Sequence, residues 1–201
     1  MECSVIFGDK FFLMLRDLSP WRQSLFALVL AQRQYPNYAL WCDVNNVRGG
    51  KKAYAQTLDT MWEFHTDKFN HIDLEKLLDD FEPYLLKDEE KNLSVGDLYS
   101  LDATLSLSAA ILAIILHEGE EAEMACRASL GGVVRKIEQD EDAEFSDEQL
   151  REMPSVDDEV SFQVEVLNQI NNSPRSKDLT LKLKKMALRD GLSNIGLSLE
   201  D

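Results

Sequence analysis

Residues able to do chemistry are sparse in this chain, and none completes a motif. The string His117-Glu118-Gly119-Glu120-Glu121 imitates the H-E-x-x-H of zinc proteases, in which two histidines one helical turn apart hold the metal and the glutamate activates water. Glu121 stands where the second histidine is needed, and Gly119 interrupts the helix that should present both ligands, so a solvated helix terminus is expected. Paired E-x-x-H motifs, which build di-iron sites in helical bundles, are absent. Gly49-Gly50-Lys51-Lys52 lacks the spacing of a phosphate-binding loop and follows no strand, and it reads as a turn and a helix start. His65, His71 and His117 are the only histidines, and no G-x-S-x-G or reactive-cysteine context accompanies them. The sequence therefore predicts no metal and no cofactor, leaves catalytic residues unknown, and points to an interaction protein rather than an enzyme.

Two sets of polar and aromatic residues remain. Asp102 stands inside an apolar helix with Ser106 four residues on, sharing its face. A buried carboxylate costs several kcal/mol, on the order of 3–5, unless it is paired. Either a Tyr, Trp, Arg or backbone donor satisfies it and fixes the packing register, or it is a functional carboxylate in a pocket beside Glu63 and His65. The second set is Tyr35-Pro36-Asn37-Tyr38 with Trp41, and Trp62-Glu63 further on. Aromatics at helical spacing are expected in the core.

The elements that must position these residues are helical nearly throughout. Phe11, Leu15 and Leu18 form one stripe, and Ser19-Pro20 opens a second helix with Trp21, Leu25, Leu28 and Val29 inward, ending near Tyr35-Pro36 because the residue before proline avoids the helical region. Tyr38 to Val44 adds a short turn, and Asn45-Asn46 with Gly49-Gly50 makes a loop. Tyr54, Leu58, Met61, Trp62 and His65 mark the next helix, and Leu74, Leu77, Leu78, Phe81 and Leu85 a shorter one. Ser94 and Asp97 form a capping box for an apolar helix ending near Leu116, the expected hub of the core. Its run Ala103 to Leu116 is too short and too rich in Ser and Thr for a membrane span. A polar helix over 120–138 follows, then a charged loop over 139–146 expected to be mobile, a capping box at Ser146, a helix with Val156, Val160, Val164, Leu167 and Ile170 on one face, and a last helix with Leu179, Leu183 and Met186 inward that stops at Gly191. The expectation is one all-α domain over 1–201, a compact bundle of about seven to nine helices around a central apolar helix at about 96–116.

Charge narrows the partners. The formal net charge is −16, which disfavours nucleic acid as a partner. Residues 118–165 hold 16 acidic and four basic side chains, whereas 175–189 hold six basic and one acidic. The last helix is expected to pack beside the acidic region and offset its repulsion, or to meet it in a homodimer. An acidic face centred on 138–148 and 157–159 is expected to bind a basic protein, with no membrane partner. Cys3, Cys42 and Cys126 form no pairable or zinc-like pattern, and the first residues do not read as a signal peptide, so a cytoplasmic protein is expected.

Several strings, taken in order, resemble the YjaG family of bacterial proteins: Tyr35-Pro36-Asn37-Tyr38-Ala39 with Trp41-Cys42, Leu58-Asp59, Trp62-Glu63, Leu101-Asp102-Ala103, Ser146-Asp147-Glu148 with Leu150, and Ser193-Asn194-Ile195-Gly196. The resemblance covers almost the whole chain. It implies a compact helical fold of the bacterial cytoplasm and carries over no activity. With their chemistry, the matched Tyr35, Asn37, Tyr38, Trp62, Glu63 and Asp102 become the candidate binding residues, and a polar pocket near Asp102 and Glu63 is the alternative to the acidic face.

Overall fold

A computed structural model describes residues 3–67, 71–86 and 92–199. Its elements are α1 (Cys3–Phe7), α2 (Asp9–Arg16), α3 (Pro20–Val44), α4 (Gly50–Thr66), α5 (Leu74–Phe81), α6 (Val95–Ile115), α7 (Glu121–Glu141), α8 (Asp147–Arg151), α9 (Pro154–Asn171) and α10 (Lys177–Leu188). Short 3-10 turns follow α5 and α10, and no strand occurs among the described residues beyond an isolated antiparallel bridge between Leu192 and Ser198.

The centre is a pair of long helices. The apolar α6 is central, as its composition predicts, with Ala103, Leu107, Ala110 and Ile111 fully enclosed. Its partner α3 packs along it and also meets α4, α7, α9 and α10, so it shares the role of hub. Alanines on α6 let the two backbones approach closely. Ser94 and Asp97 form the expected capping box at the start of α6, and Ser146 with Gln149 forms another at α8.

Two boundaries and one buried face differ from the sequence reading. α3 does not stop at Tyr35-Pro36 but runs through Pro36 to Val44, with 17 of its 25 residues buried. An interior proline costs about 3 kcal/mol. Burial and anchoring on both sides of it outweigh that: Gln34 donates to Ser106 Oγ at 2.8 Å, Tyr38 to the Tyr84 carbonyl at 2.8 Å and Trp41 to Asp97 at 2.7 Å. α7 absorbs 139–141 of the expected loop, helped by the Lys136–Asp140 ion pair one turn apart, and Asp142 ends it in the left-handed region at φ 49°. On α9 the buried face is rotated from the expected one: Val156, Glu159, Phe162, Gln163, Val166, Leu167 and Ile170 turn inward, while Val164 is exposed. Glu159 is therefore interior and contributes nothing to an acidic surface.

The basic α10 lies on α3 and α4 and borders α9. Lys184 pairs with Asp59 of α4 at 3.1 Å, and across the α9–α10 groove Lys182, Lys185 and Arg189 face Asp158 and Glu165. Cys42 and Cys126 are buried, and the Cys3 side chain lies outside the described residues. A Cβ on Gly50 would stand 2.8 Å from Cys42 Sγ and 3.0 Å from Tyr38 Oη, so only glycine lets α4 start against the end of α3.

Candidate functional site

A polar network runs through the interior where α3, α7, α9 and the C-terminal segment meet. Glu159, fully buried, accepts from Arg33 Nη1 at 2.6 Å, from Ser129 Oγ at 2.6 Å and from Gln163 Nε2 at 2.8 Å. Asn194 Nδ2 donates to the Ser129 carbonyl at 2.8 Å, and Asn194 Oδ1 accepts from Asn37 at 2.9 Å. The Arg33 guanidinium lies over the Phe162 ring at 4.2 Å. Burial pushes the Arg33 pKa down, only partly offset by Glu159, with Arg189 pushing the same way as burial and Asp158 opposing it.

Two members of this network, Arg33 and Asn194, line a surface cleft of about 360 Å³. Arg33 reaches the cleft from below although it is only 5% exposed, and its Nε has no hydrogen-bond partner. The Lys136–Asp140 pair on α7, Asp158 on α9 and Arg189 after α10 rim the opening, and the Ser193–Gly196 turn closes one side. That turn is held from within, since Ser193 Oγ accepts the amides of Ile195 and Leu197. Among the described residues, no ion pair engages Arg189 or Asp158. The cleft thus combines three cations and two carboxylates on a protein whose surface is otherwise strongly acidic.

Of the candidates read from sequence, two reach this region. Asn37 belongs to the network through Asn194. Asp102 stands behind the wall, bound to Arg135 Nη1 at 2.7 Å, and its pKa is raised by burial against the opposing pull of Arg135. A Cβ on Gly132 would come within 3.3 Å of Asn194 Nδ2 and 3.5 Å of Asp102 Oδ2. Gly132→Val should therefore displace Asn194, lower stability by about 1–3 kcal/mol in chemical denaturation, and perturb the Asn37 and Asn194 side-chain amide signals by NMR. Asp102→Asn, which keeps the shape and one acceptor, should leave the melting temperature within a few degrees, roughly 3 °C, of wild type.

The other candidates lie elsewhere. Tyr38 is enclosed, stacks on Tyr54 at 4.8 Å and has its pKa raised by burial. Tyr35 sits half-buried at 5.5 Å from Tyr54, with its pKa also raised by burial. Trp62 donates to Gln32 at 2.9 Å under Lys184. Glu63 is exposed on α4 and shares no pocket with Asp102.

His65 and Ser24 superficially resemble a base and nucleophile, 2.9 Å apart, but the proton order is wrong for catalysis. Ser24 donates to the Ala110 carbonyl at 2.5 Å, so His65 Nε2 is the donor to Ser24, and Nδ1 carries no partner. Both side chains are sealed from solvent. Glu121, from the protease-like string, uses its carboxylate to accept the Glu118 and Gly119 amides and thereby closes the turn before α7. No group of three His, Cys, Asp or Glu side chains converges as a metal site among the described residues.

Arg33, Ser129, Glu159 and Gln163 were not singled out from the sequence. A signal existed on α9: Val156, Glu159, Gln163, Val166 and Ile170 follow steps of three and four, placing Glu159 on the apolar face. Arg33 similarly interrupts the inward run of α3.

The comparisons with known proteins agree with this architecture. An uncharacterized protein of Haemophilus influenzae is 30% identical over 185 residues, covering 91% of this chain and 94% of that one. The uncharacterized protein YjaG of Escherichia coli is 30% identical over 189 residues, covering 92% and 94%. The crystal structure of a DUF416 family protein from Shewanella baltica superposes with a TM-score of 0.81 at 26% identity, covering 94% of this chain and 98% of that one. The family model described as "Protein of unknown function (DUF416)" matches residues 10–198, and the chain belongs to that family.

Proposed function

We propose that this is a non-enzymatic ligand-binding protein whose site is the cleft above Arg33, and that it takes a small anionic molecule. The observation that carries the reading is the nearly buried Arg33 guanidinium lining a cleft beside Arg189, a cation that no ion pair engages among the described residues. Burying an ion pair is seldom repaid in stability, so a sequestered Arg–Glu pair whose arginine lines a cleft is better explained by recognition than by folding. A volume of about 360 Å³ falls within the range of about 300–1,000 Å³ usual for small-molecule sites. Asn37 contributes by holding Asn194 in the wall.

The test is a thermal-shift screen with succinate, pyruvate, inorganic phosphate and the standard L-amino acids against wild type and Arg189→Gln. At least one anion should raise the wild-type melting temperature by several degrees, roughly 3–6 °C at saturating concentration, and lose that effect in the variant. No shift with any compound, or a shift that Arg189→Gln leaves intact, contradicts the reading.

A second reading attaches to the acidic end formed by Asp140, Glu141, Asp142, Glu144, Glu148 and Asp157, all exposed. α7 has no basic residue in its last turn and places carboxylates at the negative end of its dipole, which disfavours the helix by up to about 1 kcal/mol per charge. A basic protein partner would relieve that repulsion. Capture of basic proteins from extract should fall steeply as salt rises, and salt-insensitive capture would contradict it.

A further inference from the structure

The charges around the cleft do not match a simple anion. Lys136 and Asp140 satisfy each other and Arg33 gives one Nη to Glu159, which leaves Arg189, the rest of the Arg33 guanidinium and the carboxylate of Asp158 to meet a ligand. Asp158 and Arg189 both lie close enough to Arg33 to act on its charge. An anion lodged against the two arginines would sit beside Asp158 and be repelled by it. A molecule with an anionic and a cationic group on neighbouring atoms would give every one of these side chains a partner. Val133, Ile137, Leu192 and Ile195 supply an apolar part of the wall, beside the polar Ser155, Ser193 and Asn194.

We infer that the ligand is an α-amino acid with an apolar side chain, its carboxylate held by Arg33 and Arg189, its ammonium group by Asp158, and its side chain against the apolar wall. This rests on the ligand-binding reading above and narrows it from anions in general to zwitterions. A peptide is the poorer match, because a residue inside a chain presents an uncharged amide to Asp158.

Isothermal titration of the full chain with two matched sets tests the inference: L-leucine, 4-methylpentanoate and isopentylamine, and L-phenylalanine, 3-phenylpropionate and phenethylamine. In at least one set the amino acid should bind, with each single-charge analogue weaker by about tenfold or more. Asp158 and Arg189 are exposed, so Asp158→Asn and Arg189→Gln should fold normally. The first should bring the amino acid down to the affinity of its acid analogue, and the second should weaken both of these alike. Acid analogues that bind wild type as tightly as the amino acids would overturn the inference while leaving an anion site standing. No binding by either set would also overturn it, and a succinate or phosphate shift in the broader screen would then separate this failure from failure of the ligand-binding reading itself.

Discussion

Glu159→Ala is expected to destabilise the protein by roughly 3–5 kcal/mol, the cost of breaking a buried ion pair by removing one partner. The carboxylate is fully enclosed and accepts from Arg33, Ser129 and Gln163 together, so its loss strands a buried guanidinium and two further donors. For a chain of this size the melting temperature should fall by roughly 10 °C. The double variant Arg33→Met with Glu159→Leu should recover most of that loss, because apolar replacements of similar volume need no pairing. It should nevertheless fail to bind any anion. Equilibrium unfolding in urea for the single and double variants, beside the thermal-shift screen, separates stability from recognition. A double variant as unstable as the single one would mean that the pair is retained for folding alone.

Acid should weaken the fold through His65. Burial, with a smaller push from Arg175, lowers its pKa from 6.5 to about 3, and its environment offers Nδ1 no acceptor to which an imidazolium could donate. The unfolded chain takes up a proton as pH drops through about 6.5, whereas the folded protein does not until about 3. More protons are bound in the unfolded state across that window, so stability falls with falling pH by roughly 1.4 kcal/mol per pH unit. Glu123 and Asp97, whose pKa values are lowered, lose stability in acid too, while the raised Asp102 acts in the opposite sense. Comparison with His65→Gln, which keeps a donor for Ser24 and cannot titrate, isolates the histidine. Between pH 7 and 4.5 the wild type should lose about 2–3 kcal/mol more than the variant in urea titrations. Equal slopes would show that His65 does not control the acid limb.

How far the fold could be read from the residues depended on which force set each element. Capping boxes at Ser94 and Ser146 are local hydrogen bonds, and they appear where the spacing placed them. The apolar period of α4 and α6 was equally legible, since burial of Tyr54, Leu58, Met61 and Trp62 follows directly from helical steps. Pro36 misled because its local preference is opposed by tertiary bonds from Gln34, Tyr38 and Trp41 that no short window contains. The charge run at 139–141 misled for a related reason: composition marks a solvated stretch without saying whether it is helical.

The site was only half legible. Asn37 and Asp102 stand out as polar residues within apolar or aromatic surroundings; Asn37 bonds Asn194 of the cleft, and Asp102 pairs with Arg135 of α7. Composition groups Glu159 with its exposed neighbours Asp157 and Asp158, although its place on the apolar face of α9 distinguishes it. Its partner Arg33 is 126 residues away in sequence, and only the packing of α3 against α9 joins them. Trp62 and Glu63 do not join Asp102: Trp62 donates to Gln32 of α3 and Glu63 is exposed, whereas Asp102 pairs with Arg135 of α7.

The Nε–H of Arg33 gives the most direct readout of the cleft, because it is buried and unpartnered on a side chain that lines the space a ligand would fill. Its resonance in a two-dimensional 1H–15N spectrum should move, and its exchange with water should slow, when L-leucine, succinate, pyruvate or inorganic phosphate occupies the site. Arg189→Gln should suppress both effects. An Arg33 signal that stays fixed while a compound raises the melting temperature would place binding elsewhere and contradict the account.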